Sequence, residues 1–372
     1  SVQALRASLD PDMEAAGGLP DFPFDVGHQL YAGFLAPVER AWKGARELII
    51  VPHGALDQIP LAVLTTAPFQ AERAAGNGDW MAMAPWLIKE VAISRLPAVM
   101  ALQGLRSRPQ GPAAARAFIG FGDPVFSAAA GREGLAAGAG SQRRRLFAAP
   151  PSASLRPGEA PGFAPAIDFG LLPQLPDTGA EIEEIARVLS AHPTRDVFLG
   201  QRASEGTVKR TDLTRYRVVM FATHGLMRGQ MSGLFQPALA LSNPALAGDG
   251  EDGMLTMEEV LGLRLDADWV VLSACNTAAA GRQSGESISG LGRAFFYAGA
   301  RALLVTHWAV ETESARMLTT EMFRLLAAEP GLSGARALQR SSLALMRRPS
   351  GKGYSYAYPM FWAPYSLVGD GG

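Results

Sequence analysis

The sequence predicts an α/β protein built on a mainly parallel sheet. Three observations carry that expectation. Apolar runs of strand length, rich in β-branched residues, recur along the chain, as buried parallel strands require. Segments with helical periodicity and helix-capping residues lie between them. The alternation of the two is the pattern of a layered fold whose crossovers are helices.

Residues 1–45 read as a helical extension, because Leu30, Phe34, Leu35, Val38 and Trp42 fall near a helical period. Glu47-Leu48-Ile49-Ile50-Val51-Pro52 is the first strand, and His53-Gly54 turns the chain. Trp86-Leu87-Ile88 and Val91-Ala92-Ile93-Ser94 predict two strands or one bent one, and 117–124 predicts another that ends in a turn. Residues 46–126 thus make an N-terminal α/β half. From 127 to 176 the chain is dominated by Ala, Gly, Pro, Ser and Arg, too little apolar surface to order itself. A mobile insertion is expected there, with Arg143-Arg144-Arg145 as a solvated run inside it.

Residues 177–372 form the second half. Asp177 is placed to cap a helix whose Ile182, Ile185, Val188 and Leu189 share a face, with Glu181 and Glu184 in its early turns. Strands are expected at 196–199, 217–223, 237–242, 269–274 and 302–308, and helices at 204–211, 256–263, 287–299, 313–326 and 333–346. No internal repeat is evident.

Composition excludes several classes of function. With 34 basic and 35 acidic residues the net charge is −1, which removes the electrostatic case for a nucleic-acid partner. No apolar run reaches the roughly 18 residues of a membrane span, so no membrane partner is expected. The single cysteine excludes an intrachain disulfide and suits a reducing, cytoplasmic setting. Paired metal-ligand spacings, dinucleotide spacings and phosphate-cradling loops are missing, so no cofactor is expected. The chain opens on Ser1-Val2 with no signal-peptide pattern, and reads as a fragment of a longer protein.

The chemistry concentrates at two strand ends. The run 269–274 delivers Cys275, and the run 217–223 delivers His224-Gly225. In a parallel sheet the residues past the carboxyl ends share one rim, where ligands bind. The two lie 51 positions apart, close to the roughly 50-residue His-to-Cys spacing noted for caspases. A thiol and an imidazole on one rim are the minimum parts of a cysteine nucleophile and its base. A lone cysteine is more often a small buried hydrophobe, but two unrelated strands stopping on the right residues favour catalysis. The backbone N–H groups of Gly225 and Cys275 are the candidate oxyanion donors, since an amide approaches a carbonyl most closely where no Cβ intervenes.

His307 ends another strand on the expected rim and ranks below His224; His53 reads as a turn residue, and His28 and His192 carry no signal. The segments after Cys275 and Trp308 are candidates for the pocket that takes the residue before the scissile bond. Glu286, Glu311 and Glu313 are its acidic candidates, which would select Arg or Lys. Trp308 and Val310 would instead make an apolar pocket for Leu or Met. The glutamates alternatively are solvated, or cap the helix that begins near Glu313.

At these residues the chain resembles a CHAT domain, a caspase-like peptidase module often attached to tetratricopeptide repeats. The matching stretches are Ile50-Val51-Pro52-His53-Gly54, Phe121-Gly122-Asp123-Pro124, Leu175-Pro176-Asp177-Thr178, Ala222-Thr223-His224-Gly225 and Leu272-Ser273-Ala274-Cys275-Asn276-Thr277. Gly285-Glu286-Ser287, Ala298-Gly299-Ala300-Arg301, Trp308-Ala309-Val310 and Phe361-Trp362-Ala363-Pro364-Tyr365 continue the likeness. The chain departs from the family's commoner residues at His307, Ser287 and Thr312. The resemblance implies a caspase-like three-layer sandwich with a mainly parallel sheet flanked by helices, preceded by a smaller related α/β subdomain. It implies a clan CD cysteine endopeptidase with a His224/Cys275 dyad, no required cofactor and a protein substrate. Regulatory repeats upstream in the parent protein are also implied. The alternative is a caspase-like signalling or scaffold module without turnover.

Overall fold

The computed structural model describes residues 1–10, 19–70, 80–107, 116–128, 167–273, 290–308, 310–349 and 354–371. The strands are β1 (Glu47–Ile50), β2 (Ala92–Arg95), β3 (Arg116–Gly122), β4 (Val197–Leu199), β5 (Tyr216–Ala222), β6 (His224–Leu226), β7 (Ala238–Ala240), β8 (Met254–Thr256), β9 (Trp269–Leu272), β10 (Ala302–Thr306) and β11 (Tyr365–Gly369). Among the described residues the helices of six residues or more are α1 (Val2–Leu9), α2 (Phe24–Phe34), α3 (Val99–Ser107), α4 (Asp177–Val188), α5 (Glu205–Arg210), α6 (Met257–Gly262), α7 (Gly290–Ala298), α8 (Thr312–Ala328) and α9 (Gly334–Leu345).

Eight strands make one sheet in the order β1-β2-β11-β10-β9-β5-β3-β4, and β6-β7-β8 make a small second sheet. Every neighbouring pair in the large sheet is parallel except β10 with β11. The chain is therefore an α/β sandwich on a mainly parallel sheet, as its sequence predicts. Side chains alternate between the faces. Val218, Met220, Ala222 and Val271 point into one core, under α4, α8 and α9. Val219, Phe221, Val270 and Leu272 point into the other, with Val260 of α6 and Phe295 of α7. Buried on both faces, these strands read as continuous apolar runs.

The N-terminal half is not a separate layer. β1 and β2 extend the large sheet beyond β11, whereas β3 lies between β5 and β4. The apolar Phe118-Ile119 and Phe121 of β3, fully buried, require cover on both faces, which only the interior of the sheet provides. β3 also shows why its sequence alternates with glycine. A Cβ on Gly120 would meet Ile182 Cγ2 at 2.6 Å, and one on Gly122 would meet Ile182 Cδ1 at 2.5 Å. The glycines let α4 seat directly on the strand beside the rim.

Some local expectations differ from the structure. The stretch 86–88 is not a strand: Leu87–Glu90 is a single helical turn, and Trp86 bridges to Thr65. β8 and β11 form where no strand is predicted. Residues 167–176, assigned by composition to a mobile insertion, are packed. Phe169, Leu172 and Leu175 are buried, and averaging over a long Ala/Gly/Pro-rich stretch conceals these three anchors. Residues 129–166, including Arg143-Arg144-Arg145, lie outside the described residues. No described helix is long and apolar enough to cross a membrane.

Candidate active site

β5 and β9 are parallel neighbours, in register from Val218↔Trp269 to Phe221↔Leu272. Each of these pairs is separated by 51 positions, the separation of His224 from Cys275. Ser273 carries the ladder past the last pair, donating its N–H to Phe221 O at 2.9 Å. Cys275 and Glu286 themselves lie outside the described residues.

After Ala222 the chain leaves the large sheet. The Thr223 hydroxyl donates to Ala240 O, and His224 opens β6 opposite Ala240 of β7. The His224 ring is buried, tilted against Phe126 at 5.4 Å between centroids. Its Nε2 lies 2.8 Å from Pro173 O. A carbonyl oxygen only accepts, so this contact assigns the proton to Nε2 and places the neutral ring's lone pair on Nδ1. Gly225 follows in β6, half-buried and paired with Leu239.

The strap 167–176 that supplies Pro173 is anchored through its apolar side chains. Asp168 accepts from Gly170 N–H at 2.9 Å, and Phe169 and Leu172 join Phe126, Leu226 and Met231 in a satellite core.

A second polar group lies at the end of β9. Ser273 Oγ donates to Glu181, 3.1 and 3.2 Å from its two carboxylate oxygens, and stands 3.0 Å from Tyr365 Oη. Thr319 Oγ1 of α8 reaches Glu181 Oε1 at 3.1 Å. Glu181 is 0% exposed. Sequence reasoning treats it as one more acid in an early helical turn. The available signal is its place one position before Ile182, on the face that α4 turns to the sheet.

The profile of the CHAT domain family matches residues 25–370. The chain belongs to the CHAT domain family. Among curated proteins, mouse (Mus musculus) tetratricopeptide repeat protein 28 is 33% identical over 117 residues, which is 32% of this chain and 4% of that protein. Among solved structures, the Arg-specific cysteine proteinase gingipain R is similar at a TM-score of 0.42 and 11% identity, covering 76% of this chain and 55% of that one. Separase, from the Saccharomyces cerevisiae separase–securin complex, is similar at a TM-score of 0.40 and 12% identity, over 76% of this chain and 14% of the other. The CHAT domain thus spans a small part of the curated relative and about half of gingipain R.

The remaining candidates of this CHAT domain separate by position. Trp308 is fully buried and donates its indole N–H to Met360 O at 3.1 Å, and Val310 is 1% exposed. Both pack into the main core just past the end of β10 at Thr306, where His307 N–H donates to Pro364 O. Glu311 caps α8, its Oε2 accepting Ser314 N–H at 2.8 Å, and half-buried Glu313 lies in that helix's first turn. His307 is a core residue too. Its Nε2 accepts from Arg95 Nη1 at 2.9 Å and lies 2.8 Å from Ser366 Oγ, while Arg95 pairs with Asp57 at 2.9 Å. Burial, followed by the Arg95 charge, holds the His307 imidazole well below its ordinary pKa, so it stays neutral. Among the described residues three carboxylates converge, Glu205, Glu251 and Glu259. Lys209 Nζ already sits among them, at 2.5, 2.9 and 2.6 Å, so the group is an ion-pair cluster around an amine.

Proposed function

We propose that this CHAT domain is a cysteine endopeptidase in which Cys275 is the nucleophile and His224 its base and acid. The observation that carries the reading is the β5/β9 register, which sets the ends of these parallel strands side by side; in the sequence His224 follows β5 by two positions and Cys275 follows β9 by three. His224 Nδ1 takes the thiol proton, and the thiolate adds to the scissile carbonyl. The imidazolium then protonates the departing amine as the tetrahedral intermediate collapses to a thioester acyl-enzyme. A water deprotonated by the same nitrogen hydrolyses the thioester and regenerates the thiol. Gly225 and Cys275 are the proposed oxyanion donors through their N–H groups. The Nε2–H bond to Pro173 O supports the reading, because it orients the ring and stabilises the imidazolium formed after proton transfer.

The substrate is proposed to be a protein, cleaved in the cytoplasm. The likeness to a part of tetratricopeptide repeat protein 28 supports regulatory repeats elsewhere in the parent protein. Glu286 is the proposed acid of the pocket, and Arg-containing fluorogenic peptides should then be cut faster than Leu or Met ones. A cleavage profile of a whole proteome with wild type against Cys275→Ala tests the function. Cleavages present only with wild type are expected; identical profiles favour a scaffold module instead.

A further inference from the structure

A single side chain ties the strap to the end of β3. Gln174 Nε2 donates to Asp123 Oδ1 at 2.6 Å and to Pro124 O at 2.7 Å, with Asp123 O at 3.4 Å. Beside it the Asp123 N–H donates to Thr178 Oγ1 at 2.7 Å, and that hydroxyl donates to Leu175 O at 2.8 Å. Pro173 and Pro176 fix φ on either side of Gln174 and Leu175, so the strap has few ways to shift once Gln174 is anchored. Asp123 sits at φ 46°, a left-handed conformation that Asp tolerates better than most residues. There the chain turns sharply off β3 while β3 remains paired with β5, Gly122 opposite Ala222, two residues before His224. Asp123, Gln174, Pro173 and His224 thus form one connected path across the rim.

We propose that Gln174, anchored by Asp123, is a positioning residue for His224: it holds the Pro173 carbonyl on Nε2 and so keeps the neutral ring's lone pair on Nδ1, the base of the proposed dyad. The proposal rests on the His224/Cys275 dyad reading. The chemistry has a direction. A carbonyl acceptor on Nε2–H selects the neutral tautomer with the lone pair on Nδ1 and favours the imidazolium over the neutral ring. A loosened Pro173 gives up both effects, so the thiolate–imidazolium pair forms at higher pH. Gln174 is half-buried, so its amide is replaceable without dismantling the sheet.

Cys275 is the only cysteine, so iodoacetamide alkylation of the whole chain against pH reads its thiolate alone. Gln174→Met keeps the volume and removes the donor. It should raise the alkylation midpoint by about one pH unit and lower peptide kcat about tenfold, with KM nearly unchanged. Asp123→Asn retains a carbonyl acceptor for Gln174 and should keep the wild-type midpoint. Gln174→Ala is measured alongside, and circular dichroism identifies folded variants. A midpoint unmoved in Gln174→Met or Gln174→Ala, while His224→Ala moves the wild-type profile, overturns this proposal and leaves the dyad standing. A wild-type profile indifferent to His224→Ala overturns the dyad and this proposal with it. Failure of both Gln174 variants to fold, or a midpoint shifted as far by Asp123→Asn as by Gln174→Met, also overturns it.

Discussion

Replacing Glu181 by alanine should destabilise the protein by about 3 kcal/mol. The carboxylate is fully buried on α4 and receives hydroxyls from β9 and α8. Thr319 loses least, because its Oγ1 already lies 2.9 Å from Ala315 O. Ser273 loses a hydrogen bond to a charged acceptor, about 1.5–3 kcal/mol. Removing the side chain also strips a buried methylene, about 0.8 kcal/mol. Together the two losses come to about 2–4 kcal/mol, with about 3 kcal/mol at the middle. Glu181→Gln keeps an acceptor oxygen in place and should cost about 1 kcal/mol. Equilibrium urea unfolding followed by tryptophan fluorescence measures both, and a cycle with Ser273→Ala isolates the pair, with a coupling of about 1–2 kcal/mol expected. A Glu181→Ala midpoint within about 0.5 kcal/mol of wild type, or no coupling in the cycle, would refute the argument.

Gly122→Ala should destabilise by about 1–3 kcal/mol, since its Cβ would stand 2.5 Å from Ile182 Cδ1, and Ile182→Val should recover part of the loss; thermal melts of the single and double variants check this. Burial pushes the Glu205 carboxyl up from 4.5 to about 7. A folded-state pKa above the unfolded one contributes stability that is present below about pH 4.5 and lost as the pH rises through about 7. Unfolding measured from pH 4 to 8 should show that decline, and Glu205→Gln should flatten it.

The large sheet was legible because its strands are buried on both faces and therefore spell unbroken apolar runs, as in Trp269–Leu272 and Ala302–Thr306. β11 was not, because Tyr365-Ser366-Leu367-Val368-Gly369 mixes polar and apolar residues, and buried Ser366 meets His307 through its hydroxyl. His224 was legible from its strand end and glycine. The same logic put His307 on the rim, where the structure instead buries it against Arg95: a strand end shows where a side chain starts, not whether the chain beyond it folds back. Trp308 and Val310 lie buried beyond the same strand end, and Glu311 caps the helix that follows, one of the two readings the sequence offers for it. Pro173, Gln174 and Glu181 were invisible for a different reason. Each acts through a long-range contact, 51 residues from Pro173 to His224 and 92 from Glu181 to Ser273, and neither distance leaves a local pattern.

Peptide-hydrolysis kinetics of Cys275→Ala, His224→Ala and the double variant test the dyad most directly. Two residues that act as one unit should each abolish turnover, and the double variant should be no worse than either single one. Residual activity above one tenth of wild type in either single variant, a loss of less than about 1.4 kcal/mol in barrier terms, would contradict the account.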